Sequence, residues 1–238
     1  MGSLFEELGR RAGRAYAKGK CLYETLAGDD EEAREAEYLI GRDLAREFEK
    51  RFPEVEPNDR SRAVSETGQL LAGKLSDKSL RFRFSVVRMG QPNAFALPGG
   101  FVFVSEAMTG LFGNRHEAAF VLAHEIAHVV ARHSTDRLLA DSLFSAISRA
   151  VPVRSAAAAW LKKAGTRLLT SGYSRNNERE ADEFAVDLAR AAGFDPAAGS
   201  RLLSRLAGAK QSANALGVYF SSHPSIEERI DVLRRGAD

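Results

Sequence analysis

Apolar residues recur at helical spacing along most of this chain and switch to strand spacing in one short stretch. Over residues 31–51, Ala33, Ala36, Leu39, Ile40, Leu44 and Phe48 share one helical face, and Pro53 and Pro57 stop the run. Residues 64–75 read as a second helix with Leu70, Leu71 and Leu75 on a common face. The period then changes. Phe82, Phe84 and Val86 alternate with Arg81, Arg83 and Ser85, the pattern of a strand with one buried face. Two more extended runs, 93–97 and 101–104, are joined by Pro98-Gly99-Gly100, whose turn chemistry predicts a hairpin. Ser105 can cap a short helix over 106–112. Helical patterns fill 115–133, 136–149, 155–170, 174–192, 196–209 and 225–235. Asp195-Pro196 supplies a cap followed by a first-turn proline, and Ser225 with Glu228 has capping-box spacing.

This order predicts an α+β chain, mainly helical, with a small antiparallel sheet packed beside the helix over 115–133. Residues 31–238 read as a single domain, and residues 1–30 as an N-terminal basic arm or helix. Over 4–20, Arg10, Arg11, Arg14 and Lys18 make a basic face, while Gly9, Gly13 and Gly19 weaken any helix there. Such a segment can contact a membrane surface or an acidic partner.

Composition narrows the chemistry. A single cysteine, Cys21, excludes an internal disulfide and a finger-type zinc site. A net charge of +2 with mixed signs along the chain gives no nucleic-acid footprint. No run is long and apolar enough to span a bilayer, since Arg149, Pro152 and Arg154 interrupt the most apolar window, 143–161. The N-terminus shows no signal-peptide core and no lipid-attachment pattern before Cys21. The expectation from the chain as written is cytoplasmic, or periplasmic or membrane-peripheral if a leader has been removed.

His124-Glu125-Ile126-Ala127-His128 fits H-E-x-x-H within an apolar helical run. Four residues advance a helix by about 400°, so both imidazoles project to one side and can reach one metal ion. Glu125 stands beside the metal, where it can accept a proton from water. A catalytic zinc usually takes a third protein ligand. The metzincin continuation fails, because Ala131 and Ser134 stand where Gly and His are required. His133 is one position out of step and reads as polar decoration at a helix end. Glu178 and Asp182 are four apart on one helical face, and fit a carboxylate ligand followed by an acid that orients a ligating histidine. Glu180 falls on a different face. Residues 93–96 can form an edge strand to which an extended peptide adds.

H-E-x-x-H followed by Glu178-x-x-Ala181-Asp182 resembles the gluzincin metallopeptidases of the HtpX, BepA and type-I CAAX prenyl endopeptidase group. Asn93-Ala94-Phe95-Ala96-Leu97-Pro98-Gly99-Gly100 upstream, and His223-Pro224-Ser225 with Arg229-Ile230 downstream, match in the same order. The resemblance covers about residues 60–235. It implies a zincin-like fold and one Zn2+ per chain held by His124, His128 and Glu178, with Glu125 catalytic and Asp182 behind a ligand. It places His223 near the metal, either stabilising an oxyanion or capping the zinc at rest. It implies substrate binding along Asn93, Ala94, Phe95 and Ala96. Arg229 is expected to pair with a carboxylate near the site, and Arg175 could do likewise. The implied function is a zinc-dependent endopeptidase acting on peptides or unfolded proteins. The alternative is a latent zinc-bearing binding or chaperone-like module.

Overall fold

The computed structural model describes residues 30–140, 172–209 and 216–237. The basic segment 4–20, Cys21 and the helix expected over 155–170 lie outside the described residues, as does most of the one expected over 136–149. Among the described residues, no helix is long and apolar enough to cross a membrane.

Helix α1 (Asp30–Arg51) is followed by α2 (Asp59–Ala72), which Asn58 and Ser61 close with a reciprocal capping box. Strands β1 (Arg83–Val87), β2 (Ala94–Leu97) and β3 (Phe101–Ser105) come next, the last two joined by a single 3-10 turn at Pro98–Gly100. The remaining helices are α3 (Glu106–Thr109), α4 (Arg115–Val130), α5 (His133–Ala140), α6 (Arg175–Ala191), α7 (Ala198–Ala209), α8 (Gly217–Ser222) and α9 (Ile226–Ala237). Leu70 does not join the buried face expected of α2. It is exposed, because it lies about 100° round the helix from Leu71 and off the buried face of Val64, Thr67, Gly68 and Leu71, while Leu75 reaches the core from the turn beyond.

The sheet is mixed rather than purely antiparallel. Its order is β1-β3-β2. The hairpin pairs β2 with β3 antiparallel, Ala94 opposite Val104 and Leu97 opposite Phe101. β1 lies on the other side of β3 and runs parallel to it, Arg83 opposite Phe101 and Val87 opposite Ser105. The geometry leaves no other choice. Residues 88–93 carry the chain past the central position and reverse it, so β3, reversing again, runs with β1. The outer edge of β1 is closed by an isolated bridge between Glu54 and Val87.

Both sheet faces are covered, so the strands are more buried than their alternation implies. Only Arg83 of β1 remains exposed, and Ser85 is buried with its hydroxyl on the Glu54 carboxylate at 2.8 Å. On one face, Phe95, Leu97, Phe101 and Phe103 pack against Ile40, Leu44 and Phe48 of α1. On the other, Ala94, Ala96, Val102 and Val104 join Leu71 of α2 and Ala119, Leu122 and Ile126 of α4. Small alanines on β2 let α4 approach closely. That contact sets the helix bearing His124 and His128 beside the sheet, as the pattern predicts.

α4 is anchored at both ends. At its start the Asn114 side chain accepts from the His116 and Glu117 amides at 3.0 and 3.1 Å. The buried Glu117 carboxylate accepts from the Gly113 amide and from Arg205 of α7. At its end the chain turns through Arg132, a non-glycine residue at φ 60°, whose guanidinium pairs with Glu37 of α1 at 2.9 Å. The helix therefore stops at Val130, short of the expected 133, and His133 opens α5.

Gly41 of α1 lies against the 3-10 turn so closely that a Cβ there would sit 1.7 Å from the Pro98 carbonyl oxygen. Gly99, at φ 73°, holds the same turn. Gly41→Ala should therefore lower stability by about 1–3 kcal/mol through overpacking, read in denaturant melts. Were the approach loose, alanine in a helix interior would instead stabilise by about 1 kcal/mol.

Candidate metal centre

α4 presents His124 and His128 one turn apart, with Glu125 between them. α6, whose start is capped by the Ser174 hydroxyl, presents Glu178 and Asp182 one turn apart on its facing side. His223 follows directly on α8 and Arg229 comes from α9. All seven side chains are buried.

The His124 and His128 Nε2 atoms are 3.1 Å apart. Glu178 Oε2 lies 3.5 Å from His124 Nε2, and its Oε1 lies 3.5 Å from His128 Nε2. His223 Nδ1 stands 3.3 Å from both His124 Nε2 and Glu178 Oε1. One donor atom from each of these four residues thus converges on a common point, and the group could hold a metal ion.

Charge supports that reading. Glu125, Glu178 and Asp182 are three buried carboxylates, and among the described residues Arg229 is the one buried guanidinium beside them. Counted formally, two negative charges remain over. Arg229 grips Asp182 with two bonds of 2.7 and 2.8 Å and reaches Glu178 Oε2 at 2.8 Å. Burial works against ionisation of Glu178, but Arg229, then His223 and the two α4 imidazoles, hold its carboxyl well below the usual range. Asp182 is lowered likewise, since Arg229 and His124 outweigh burial.

The two α4 histidines differ. Burial and Arg229 disfavour charge on His124, yet its bonds to Asp182 and Glu178 prevail and raise its pKa to about 9. Its Nδ1 is 3.0 Å from Asp182 Oδ1. Burial pushes His128 well below the usual histidine range, which keeps it neutral, as a metal ligand must be.

Glu125 has both carboxylate oxygens buried without a hydrogen bond. In a folded chain such an orphaned acid calls for a partner such as water, an ion or substrate. His223 Nε2 lies 3.5 Å from Glu125 Oε1 and 3.2 Å from the Ala94 carbonyl oxygen of β2. Of the expected substrate strand, β2 begins at Ala94 and Asn93 precedes it. Asn93 is buried, its side-chain nitrogen unbonded and its side-chain oxygen accepting from Ser222, while its backbone N–H donates to the Ser105 hydroxyl. Ala96 packs towards α4, whereas the Phe95 ring turns away and packs edge-on against Phe48 of α1.

Arg229 pairs with carboxylates at the site, as expected. Arg175 does not, for it pairs with Glu228 at the surface. That pairing also engages the Glu228 carboxylate expected to cap α9. His133 is not polar decoration, since it is buried with Nδ1 3.0 Å from His128 Nδ1. The sequence carried that signal only as a histidine five after His128. Tyr173 has no sequence signal. Its ring stacks on His128 with centroids 3.7 Å apart, and Arg137 covers its other side at 4.2 Å.

Among the described residues, Arg229 is the only guanidinium in contact with Asp182 and Glu178, so its loss leaves two buried acids without their cationic partner. Arg229→Met should cost about 3–5 kcal/mol of unfolding free energy. Arg229→Lys should recover only part of it, because an ammonium cannot form the two-pronged grip. Equilibrium denaturation of both variants measures the effect.

Residues 58–237 match peptidase family M48. The chain is 38% identical over 159 residues to the mitochondrial metalloendopeptidase OMA1 of Schizosaccharomyces pombe, covering 63% of this chain and 45% of that protein. It is 28% identical over 187 residues to the beta-barrel assembly-enhancing protease of Escherichia coli K12, covering 74% of this chain and 38% of that protein. Against the mitochondrial metalloendopeptidase OMA1 of Saccharomyces cerevisiae the identity is 32% over 153 residues, covering 60% and 43%. The chain thus spans less than half the length of these relatives. The family match takes in the sheet, α4, α6 and the His223–Arg229 segment together, and the chain belongs to peptidase family M48, a family of metallopeptidases.

Proposed function

We propose that this chain is a zinc-dependent endopeptidase that cleaves extended segments of unfolded or damaged proteins, with the metal held by His124, His128 and Glu178. The observation that carries the reading is the spacing of the donor atoms. Four ligands at zinc distances of about 2.0–2.1 Å stand about 3.3–3.4 Å apart in a tetrahedron. Five separations among His124, His128, His223 and the two Glu178 oxygens are 3.1–3.5 Å, and one donor atom from each of the four residues lies within 4.8 Å of the others. With the histidines neutral as ligands, the three buried carboxylates and Arg229 leave two negative charges, which suits a divalent cation.

Zinc bound there supplies Lewis-acid polarisation of the scissile carbonyl and lowers the pKa of water towards about 7. The chain's own groups do the rest. Glu125, with two unpartnered oxygens, accepts the proton of the attacking water and delivers it to the leaving nitrogen. Asp182 accepts from His124 Nδ1 and so presents Nε2 as a lone pair to the metal, while Arg229 steadies Asp182. The main chain of Asn93 is taken up by Ser105, so Ala94 and Ala96 are the positions of β2 whose main chain offers hydrogen bonds to an extended peptide, whose lack of fold lets it pair along the strand.

His223 caps the centre at rest. Its Nδ1 occupies the fourth donor position, and its Nε2 stands on the Ala94 carbonyl that a peptide would use. The same observation supports a second reading, a latent zinc-bearing binding or chaperone-like module from which His223 does not depart.

Glu125→Gln should keep about one zinc per chain and lose 10²–10⁴-fold of casein cleavage, measured by metal analysis beside a protease assay. Undiminished cleavage by that variant would sink the general-base assignment. His223→Phe should retain zinc and turn over several-fold faster, because the phenyl ring can neither cap the metal nor hold Ala94. A slower variant would assign His223 to the oxyanion, and an inert pair of proteins would favour the latent module.

A further inference from the structure

The second imidazole of the centre has its own support, which runs through a residue given no role above. His133 opens α5 directly beneath His128, delivered there by the left-handed turn at Arg132. It is 3% exposed, and the two Nδ1 atoms are 3.0 Å apart. At that distance two buried imidazoles must share one proton. Two N–H groups would clash, and two lone pairs would repel without a donor between them.

We propose that His133 is a positioning residue that holds His128 in its metal-binding tautomer, with Glu180 fixing the tautomer of His133 in turn. The inference rests on the reading of His128 as a ligand. A neutral imidazole that offers Nε2 to a metal carries its proton on Nδ1. His128 is then the donor and His133 Nδ1 the acceptor, which places the His133 proton on Nε2. That atom is buried without a hydrogen bond and faces Glu180 Oε2 at 3.6 Å, so the carboxylate favours a proton there over a lone pair. Tyr173 meanwhile covers the face of the His128 ring with an interplanar angle of 12°. His133 fixes the ring's edge and Tyr173 its face, which leaves it little freedom to rotate.

The arrangement parallels that of the first imidazole. His124 donates its far nitrogen to Asp182, and His128 donates its far nitrogen to His133 and through it towards Glu180. Both carboxylates come from α6, two residues apart. Glu180, on a different face of α6 from Glu178, thereby acquires a role that its helical position alone does not suggest.

The test compares His133→Asn with His133→Leu in the full chain. The two side chains have nearly the same shape. Asn places a carbonyl oxygen on the same branch point as the imidazole Nδ1, and Leu places a methyl there. Zinc dissociation constants, from competition with a chromophoric chelator, should weaken 10–100-fold for Leu, the usual effect of losing a ligand's outer partner. For Asn they should stay within a few-fold of wild type. Equal affinity for Leu and wild type, or equal weakening by Leu and Asn, would overturn the inference while leaving the metal centre intact. Wild-type protein that binds no zinc would overturn the metal reading and this inference with it. Nitrogen-15 spectra of the zinc-loaded wild type need no variant. They should show His133 bare at Nδ1 and protonated at Nε2, and a proton on its Nδ1 would refute the assignment.

Discussion

Much of the centre depends on one buried guanidinium. Arg229 holds Asp182 by two hydrogen bonds and Glu178 by a third contact, and all three groups are nearly free of solvent. A buried acid is costly unless paired, and here two acids share one partner. That sharing ties α9 to α6. It also sets where the Glu178 oxygens point, and through Asp182 it sets which nitrogen of His124 is left as a lone pair. With Glu125 counted, the pocket keeps more negative charge than Arg229 can balance, so the same interaction that organises the site leaves it receptive to a cation.

Around that charge the hydrophobic packing is arranged to hold backbones close. The sheet is covered by α1 on one side and by α2 and α4 on the other. Alanines at 94 and 96 on β2 allow α4 to lie near enough that His223, from α8, spans the gap between the β2 backbone and the metal-binding atoms. Gly41 lets α1 settle on the turn that joins β2 to β3. The strand proposed to receive a peptide is thus fixed by core packing on both faces. Its Ala94 carbonyl, by contrast, meets a single imidazole from a loop.

Much of this was legible in the residue order. H-E-x-x-H on an apolar run specifies two imidazoles on one helical face, because helical rise and twist are local properties. Glu178 and Asp182 share a face for the same reason. The hairpin followed from Pro98-Gly99-Gly100, and Ser105 does cap the helix after it, accepting from the Met108 amide. Local rules failed where a second element intervened. Alternation in β1 implied one exposed face, but Glu54, from the segment after α1, covers Ser85 there and Val87 joins the cluster beneath α1. Whether β1 neighbours β2 or β3, and so whether the sheet is mixed, depends on which side of the hairpin it docks, and no local signal encodes that. Leu70 looked buried by spacing alone and is exposed, because the face that α2 turns to the core is that of Val64, Thr67, Gly68 and Leu71.

The sequence by itself determined the donor types, their helical pairing and the strand that runs beside them, since each is a matter of short-range geometry. Only the tertiary structure decided which far-off groups meet. His223 closes the donor set across ninety-nine residues, Arg229 reaches Asp182 across forty-seven, and Tyr173 stacks on His128. His133 shows the boundary most clearly. It lies five residues from His128, yet its role depends on a turn at Arg132 that α1 pins through Glu37. Contacts of that kind arise from how helices pack and where charge must be neutralised, and no spacing along the chain records them.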